Sequence, residues 1–130
     1  IAKLNAINNN IDISIKTCDI FNEKIPINKF NLIVSNPPYV SYDDFKNIHE
    51  RVKRYEPNNA IFVNNEDSLI YYKCIIQKAS ISLTSNGFIF FECCQKKIDD
   101  VKNILINYNF KNIEIKKDFR EMKRMIKAEK

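Results

Sequence analysis

The sequence predicts an α/β domain with a mostly parallel sheet, and three observations support this. Apolar residues alternate with polar ones in some stretches and recur at helical spacing in others, and these two kinds of stretch alternate along the chain. The 130 residues are 45% hydrophobic and 12% aromatic, which is enough for one buried core and too little for two. Strands that alternate with helices form βαβ units, whose strands run parallel.

The first half of the chain is predicted to hold a helix end, two strands and a long irregular segment. Residues 2–7 carry apolar side chains at helical spacing, as in a helix already under way, so we expect a piece of a longer protein. Isoleucines alternate with polar residues over 11–18, which predicts a half-buried strand, and the continuous apolar run at 30–35 predicts a central one. The polar segment 41–65 is too long for a turn, and such loops are usually functional.

The second half is predicted to contain two helices and three strands. Ser68 is a candidate cap for the first helix, and Asn86 with Gly87 is expected to turn the chain into the next strand. The predicted elements are, in chain order, a helix at 68–83, a strand at 88–93, a helix at 96–108, a strand at 111–116 and a short strand at 124–128.

Charge and cysteine content exclude few functions. The net charge is +5, and the Lys residues that produce it are scattered among Asn and Ile. Biased codon usage explains this composition as well as a surface that binds nucleic acid or the ribosome does. The four cysteines form no CxxC pair, so we predict no metal site and expect buried thiols in a reducing compartment. No apolar run approaches the ~20 residues of a membrane span, so we expect a soluble protein of the cytoplasm or an organellar matrix.

The strongest candidates for catalytic residues are Asn36, Pro37, Pro38 and Tyr39, which directly follow a predicted apolar strand. Ligands of open α/β sheets bind outside the carboxyl ends of strands. The Asn36 side-chain oxygen and the Pro37 carbonyl can accept two N–H bonds of a planar nitrogen and so orient its lone pair. The prolines stiffen the loop, and Tyr39 can stack on a flat group. An Asn-Pro-Pro turn or a polyproline ligand is the alternative.

The run FNLIVSNPPYV resembles the (D/N)PP(Y/F/W) motif of amino-methyltransferases, which act on adenine N6, cytosine N4 or glutamine N5. Further segments, spread over nearly the whole chain, resemble those of one branch of these enzymes, the HemK/PrmC glutamine methyltransferases. They are a segment similar to YEPxxALxGGxDGL (Tyr55, Glu56, Pro57, Ala60, Ile61, Asp67, Leu69), a strand end similar to LExGxxQ (Glu92, Gln95) and a closing pattern similar to KDLxGxxRxxxA (Lys117, Asp118, Phe119, Arg124, Ala128).

The resemblance implies a cofactor, S-adenosyl-L-methionine, beside a stretch at 18–21 that is similar to the family's GDxF. Asp19 would accept a hydrogen bond from the adenine amino group, Ile20 would pack on the ring, and Asn36 would border both cofactor and substrate. From the residues alone, Asp19 is interpreted as a turn residue at a strand end. For Glu92, a carboxylate bonded to nearby backbone and a role beside the cofactor are equally supported alternatives. The lone histidine, His49, is interpreted as a solvated loop residue.

The sequence departs from the family pattern mainly at glycines. Asn64, Asn65 and Ser68 replace those of the YEP segment, and Glu121 replaces that of the closing pattern. Asn tolerates a positive φ better than Glu does. Gly87 is the one glycine of the chain, so the Gly-rich loop that takes the methionine end of the cofactor has no match, and neither has the acidic residue that takes its ribose.

The fold implied by the resemblance is a Rossmann-like methyltransferase sheet with strand order 3-2-1-4-5-7-6. This chain would supply strands 3 to 7 and lack the first two, which leaves a gap of ~14 Å between the strands at 11–18 and 30–35. Residues 1–130 would then be the C-terminal part of one catalytic domain.

The implied function is N5-methylation of the glutamine in the GGQ motif of class 1 peptide chain release factors, the implied protein partner. Asn36, Pro37, Pro38 and Tyr39 would be catalytic, and the substrate loop would contain Tyr55, Glu56 and Pro57. One alternative is methylation of adenine or cytosine in nucleic acid, with Tyr39 stacked on a flipped base. The other is an inactive remnant or an interaction subunit.

Overall fold

The computed structural model describes residues 1–41, 43, 50–55, 57–63 and 67–130. In chain order its elements are α1 (Ala2–Asn8), β1 (Phe30–Ser35), β2 (Val40–Ser41), α2 (Glu50–Tyr55), α3 (Asn58–Ile61), β3 (Phe62–Val63), α4 (Ile70–Ser82), β4 (Leu83–Glu92), α5 (Ile98–Asn107), β5 (Lys111–Lys117) and β6 (Lys123–Glu129).

Four strands form the main sheet, in the order β1-β4-β6-β5. β1 and β4 are parallel, whereas β6 is antiparallel to both of its neighbours. This order is the 4-5-7-6 part of the predicted sheet, so the α/β methyltransferase-type fold is confirmed over these strands. The predicted helices of the second half and its last two strands are also confirmed, with bounds shifted by a few residues at most.

The core lies where helices α4 and α5 pack against the sheet. Helix α5 buries Ile98, Val101 and Leu105, which share one face because they are three and four residues apart. Burial of such side chains stabilises the fold by about 1.5–3 kcal/mol each. The buried cluster consists of Tyr72, Ile75, Ile76, Ala79, Leu83, Ile89, Phe91, Cys93, Ile98, Val101, Leu105, Phe110, Ile126 and Ala128.

The prediction of a strand at 11–18 is wrong. These residues are neither helix nor strand, and Ile11, Ile13 and Ile15 are 58%, 51% and 51% exposed. A strand requires a neighbour to satisfy its backbone N–H and C=O groups. Among the described residues β1 pairs with β4 alone, so no strand lies beside 11–18 to provide those partners.

Two local predictions are also corrected. Asn86 and Gly87 do not precede the strand but lie within β4, where Asn86 has φ 63° and the register with β1 shifts. A Cβ at Gly87 would lie 2.9 Å from a backbone carbonyl oxygen, so crowding requires glycine there. Ser68 does not cap α4; the carboxylate of Asp67 accepts a hydrogen bond from the Leu69 N–H at 3.0 Å.

The cysteines only partly follow the prediction of buried thiols. All four are free; Cys93 is buried, Cys74 and Cys94 are half-buried, and Cys18 is exposed because it lies in the unpaired segment. No group of His, Cys, Asp or Glu in the described ranges could hold a metal ion. Every helix in those ranges is too short or too polar to cross a lipid bilayer.

Candidate active site

The loop Asn36–Tyr39 follows β1 and separates two cavities. The first, here called the apolar groove, has a volume of about 650 Å³ and is lined by Ile20, Pro37 and Pro38 together with side chains of β1 and α4. The second, the Asn36 pocket, has a volume of about 500 Å³ and is lined by the whole loop and by Glu92. The loop therefore presents one side to each cavity.

Asn36 is exposed, whereas the neighbouring Pro37 is buried. Within the described part of the chain the Asn36 side chain makes no hydrogen bond. The two prolines fix φ on the following residues. The structure therefore holds the backbone of the loop and leaves the Asn36 amide available to a ligand in the pocket.

Tyr39 is half-buried and packs against the core cluster. Loss of solvation, followed by the nearby charge of Glu92, raises the pKa of the Tyr39 phenol. The phenol therefore stays neutral at physiological pH and is a flat, polar surface rather than a base.

The end of β4 forms the opposite side of the Asn36 pocket. The buried Tyr72 donates a hydrogen bond from its hydroxyl to the Glu92 carbonyl oxygen at 2.9 Å. Its ring meets that of Phe91 edge-on, with 5.4 Å between centroids. Burial raises the pKa of Tyr72, and it raises that of Cys93 to about 12, so both groups stay protonated. Tyr72 thus fixes the backbone of the residue whose carboxylate borders the pocket.

Of the two predicted adenine contacts, Asp19 and Ile20, only Ile20 lines the apolar groove. Asp19 accepts hydrogen bonds from the Phe21 N–H at 2.9 Å and the Asn22 amide at 2.6 Å. The Phe21 bond is the main cause of the lowered pKa of Asp19. Asp19 thus closes a local turn and does not line the apolar groove, whereas Ile20 lines the groove together with Pro37.

Two short strands, one directly after Tyr39 and one at Phe62–Val63, lie side by side. β2 and β3 pair in parallel, Val40 with Phe62 and Ser41 with Val63, and both β3 side chains are buried. The base of the segment is therefore fixed beside the candidate site. Sequence reasoning missed this strand pair, although the apolar run at 61–63 was a signal for it.

Two of the three residues predicted for the substrate loop, Tyr55 and Pro57, lie away from the Asn36 pocket. Tyr55 is 72% exposed, with the Arg54 guanidinium 5.5 Å from its ring centroid, and Pro57 is exposed before α3. Neither lines the Asn36 pocket. The side chains of this segment that do line it are Val52, Ala60 and Ile61. Four residues named from the sequence lie outside the described residues: His49, Glu56, Asn64 and Asn65.

The turn between β5 and β6 carries the closing sequence pattern. The Asp118 carboxylate accepts hydrogen bonds from the Arg120 and Met122 N–H groups at 2.8 and 3.0 Å, and the second of these is the main cause of its lowered pKa. The Arg124 Nε lies 3.5 Å from the same carboxylate. Glu121, where the family pattern has glycine, has φ 60°, a conformation that glycine adopts without strain.

The sheet order and the Asn-Pro-Pro-Tyr loop at the carboxyl end of β1 match the pattern that is expected of the Rossmann-like methyltransferase class. A Flavobacterium psychrophilum protein named release factor glutamine methyltransferase is 40% identical over 127 residues, which are 98% of this chain and 45% of that protein. A Clostridium acetobutylicum protein of the same name is 39% identical over 100 residues, 77% of this chain and 35% of that protein. The predicted resemblance is confirmed: the chain is a relative of the release factor glutamine methyltransferases.

The chain spans less than half the length of these curated relatives. No protein-family model matches it. A crystal structure of a release-factor-specific protein-(glutamine-N5) methyltransferase from Alicyclobacillus acidocaldarius covers 85% of this chain at 16% identity, with a TM-score of 0.45.

Proposed function

We propose that the whole protein transfers a methyl group from S-adenosylmethionine to the side-chain nitrogen of the glutamine in the GGQ motif of a class 1 release factor. The observation that carries the proposal is the loop Asn36–Tyr39, which presents an unengaged amide oxygen between an apolar groove and a pocket. The names of the similar proteins support the same substrate.

The chemistry required of Asn36 and Pro37 follows from the electronic structure of an amide. An amide nitrogen is a poor nucleophile because its lone pair is delocalised into the carbonyl group. If the Asn36 side-chain oxygen and the Pro37 carbonyl oxygen accept hydrogen bonds from its two N–H groups, the nitrogen is oriented and conjugation of its lone pair with the carbonyl group is weakened. The same two acceptors stabilise the positive charge that develops on nitrogen as its bond to the methyl carbon forms and the methyl–sulfur bond breaks. The nitrogen then loses one of its two protons to solvent, which leaves a neutral N-methyl amide.

S-adenosylmethionine, when bound, supplies a methyl group on a positively charged sulfur. Ile20, Pro37 and Pro38, which lie together at one end of the apolar groove, suit the flat adenine of such a ligand. Asp19 would accept from the adenine amino group, as the resemblance implies, although this carboxylate also holds its own turn. These residues would hold the adenine end of the cofactor but neither its ribose nor its methionine end.

The substrate preference must come from the walls of the Asn36 pocket. An amide and an adenine amino group each have two N–H bonds, so Asn36 and Pro37 cannot distinguish them. Val52, Ala60 and Ile61 give the pocket an apolar wall, which suits a slim side chain on a glycine-flanked backbone better than a flipped base. We therefore favour the protein substrate over the nucleic-acid alternative.

The chimera that tests the proposal replaces the matched segment of the Flavobacterium psychrophilum relative with this chain. It is incubated with labelled S-adenosylmethionine and three acceptors: a class 1 release factor, its GGQ Gln→Glu variant, and nucleic acid. We expect label in the first acceptor only. Label in nucleic acid, or undiminished label in the variant, would contradict the proposal. An inactive chimera beside an active parent would favour the inactive remnant.

The role of Asn36 is tested in the same chimera. We expect Asn36→Ala to lower kcat by about 10³-fold, as loss of a hydrogen-bonding group aimed at the transition state does, and to change the KM for the cofactor far less. Asn31→Ala is the matched control, since Asn31 lies on β1 and bonds Thr84 outside the pocket. Near-normal turnover by the Asn36 variant would refute the assigned role.

The isolated chain should bind S-adenosylmethionine very weakly or not at all. Gly87 is its one glycine, so it has no Gly-rich loop to hold the methionine end of the cofactor. Titration calorimetry on the 130-residue chain measures this directly, with the parent Flavobacterium protein as the positive control. Micromolar affinity of the isolated chain would show that the residues present suffice.

A further inference from the structure

A third cavity adjoins the candidate active site. It has a volume of about 780 Å³ and is lined by Tyr39 and Glu92 together with residues of the β5–β6 turn. Tyr39 and Glu92 also line the Asn36 pocket. The two spaces are therefore neighbours, and a ligand too large for the Asn36 pocket would extend into this turn cleft. Its remaining lining residues are Lys117, Asp118, Phe119, Glu121, Arg124 and Met125.

The turn holds Phe119 in a fixed position without burying it. The backbone on the C-terminal side of Phe119 is bonded to the Asp118 carboxylate at Arg120 and Met122, and the Asp118 N–H donates to the Met122 carbonyl oxygen at 2.9 Å. The phenyl group itself is fully exposed, at 109% of its reference area. Met122 and Met125 are also more than a third exposed. An apolar ring held in water stabilises nothing within the chain, and its burial would stabilise a complex.

The charges around the turn cleft largely cancel. Lys117 pairs with Glu121 at 2.9 Å and Arg124 with Asp118 at 3.5 Å, and Glu92 adds a further negative charge. Nucleic acid requires cations that are free to neutralise phosphates. An apolar anchor surrounded by paired charges is instead the composition of a protein interface, in which buried aromatic side chains carry much of the binding energy.

We infer that Phe119 and the turn cleft bind the polypeptide that carries the methyl-acceptor glutamine, so that Phe119 anchors the protein substrate outside the pocket that takes the glutamine side chain. This inference rests on the proposed function, because it assigns that substrate. Phe119 is a substrate-binding residue and takes no part in the chemical step.

The test measures binding of a class 1 release factor from Flavobacterium psychrophilum to the 130-residue chain, and the KM for that release factor in the chimera. We expect Phe119→Ala to weaken binding and to raise the KM by about tenfold or more, with kcat and the KM for the cofactor unchanged. Ile106→Ala is the control for nonspecific hydrophobic binding, since Ile106 is a half-exposed apolar residue on α5, outside the cleft. Thermal melting checks that both variants stay folded.

The outcomes separate this inference from the proposed function. If the chimera methylates the release factor and Phe119→Ala leaves both binding and KM unchanged, the inference is overturned while the function stands. If Phe119-dependent binding persists without methylation, the surface stands and the function fails. Loss of release-factor binding on Arg120→Ala but not on Phe119→Ala would show that a charged contact, and not the apolar ring, binds the partner, and would overturn the inference. Absence of any release-factor binding would overturn it as well.

Discussion

The two ends of the chain bury their apolar side chains to very different degrees. Every member of the buried core cluster lies at Tyr72 or beyond it, whereas ten large apolar side chains between Ile1 and Val34 are more than a third exposed. Both regions are rich in isoleucine. The difference arises because the later strands have neighbours and covering helices, so apolar content alone does not produce a core.

Strand β1 is the boundary between these two regions. It pairs with β4 on one edge, with one register shift, and no described residue pairs with the other edge. Leu32 and Val34 are 53% and 71% exposed on this strand. The apolar groove lies between β1 and the segment that contains Ile20, the two segments between which the resemblance predicts a gap. An exposed apolar strand edge is also prone to association with other chains.

A matched pair of leucines tests the contrast directly. Leu105 is fully buried on the inner face of α5, and Leu32 is half-exposed on β1. We expect Leu105→Ala to lower the free energy of unfolding by about 2–5 kcal/mol, because it removes buried methyl groups and leaves a cavity. Leu32→Ala should change it by less than about 0.5 kcal/mol. Urea denaturation of both variants measures the two values, and similar losses would mean that β1 is covered in solution.

The buried side of the fold was predictable from the sequence because local pattern and tertiary structure agree there. Helix α5 shows its apolar face in its spacing, and β5 and β6 each alternate. The order of the four strands followed from the resemblance. On the open side, alternation over 11–18 indicated a strand. Its neighbour in the implied sheet is one of the two strands that this chain lacks, and alternation within one segment does not show that an unpaired strand fails to form.

The candidate site was predictable in its centre and less so at its edges. The loop Asn36–Tyr39 is contiguous, so the sequence located it directly. The pocket wall depends on the pairing of β2 with β3, which brings Val52, Ala60 and Ile61 beside the loop. That pairing is a contact between residues more than twenty positions apart, and periodicity within short runs does not specify it.

Two adjacent tyrosines, one on the buried side and one on the open side, test the same contrast for a single hydrogen bond. Tyr72 is buried and donates to the Glu92 carbonyl oxygen, while Tyr71 lies at the apolar groove on the open side. We expect Tyr72→Phe to cost about 1–2 kcal/mol, because it leaves a carbonyl oxygen without its donor. Tyr71→Phe should cost less than about 0.5 kcal/mol. Thermal unfolding of the two variants decides this, and equal costs would show that the hydroxyl bond adds little.

The smallest expected effect concerns backbone strain in the exposed turn between β5 and β6. Glu121 has φ 60°, which costs an L-residue roughly 1–2 kcal/mol, and its ion pair with Lys117 is exposed and so contributes little. Glycine removes the strain but loses more backbone entropy on folding, roughly 0.5–1 kcal/mol.

The matched variants for this strain are Glu121→Gly and Glu121→Ala, which both remove the ion pair, so that only the φ preference differs between them. We expect the glycine variant to be more stable than the alanine variant by about 1 kcal/mol in denaturant unfolding. Equal stability would mean that the turn relaxes when the side chain is removed. In that case the Asp118 hydrogen bonds, rather than the φ at Glu121, fix the turn that presents Phe119.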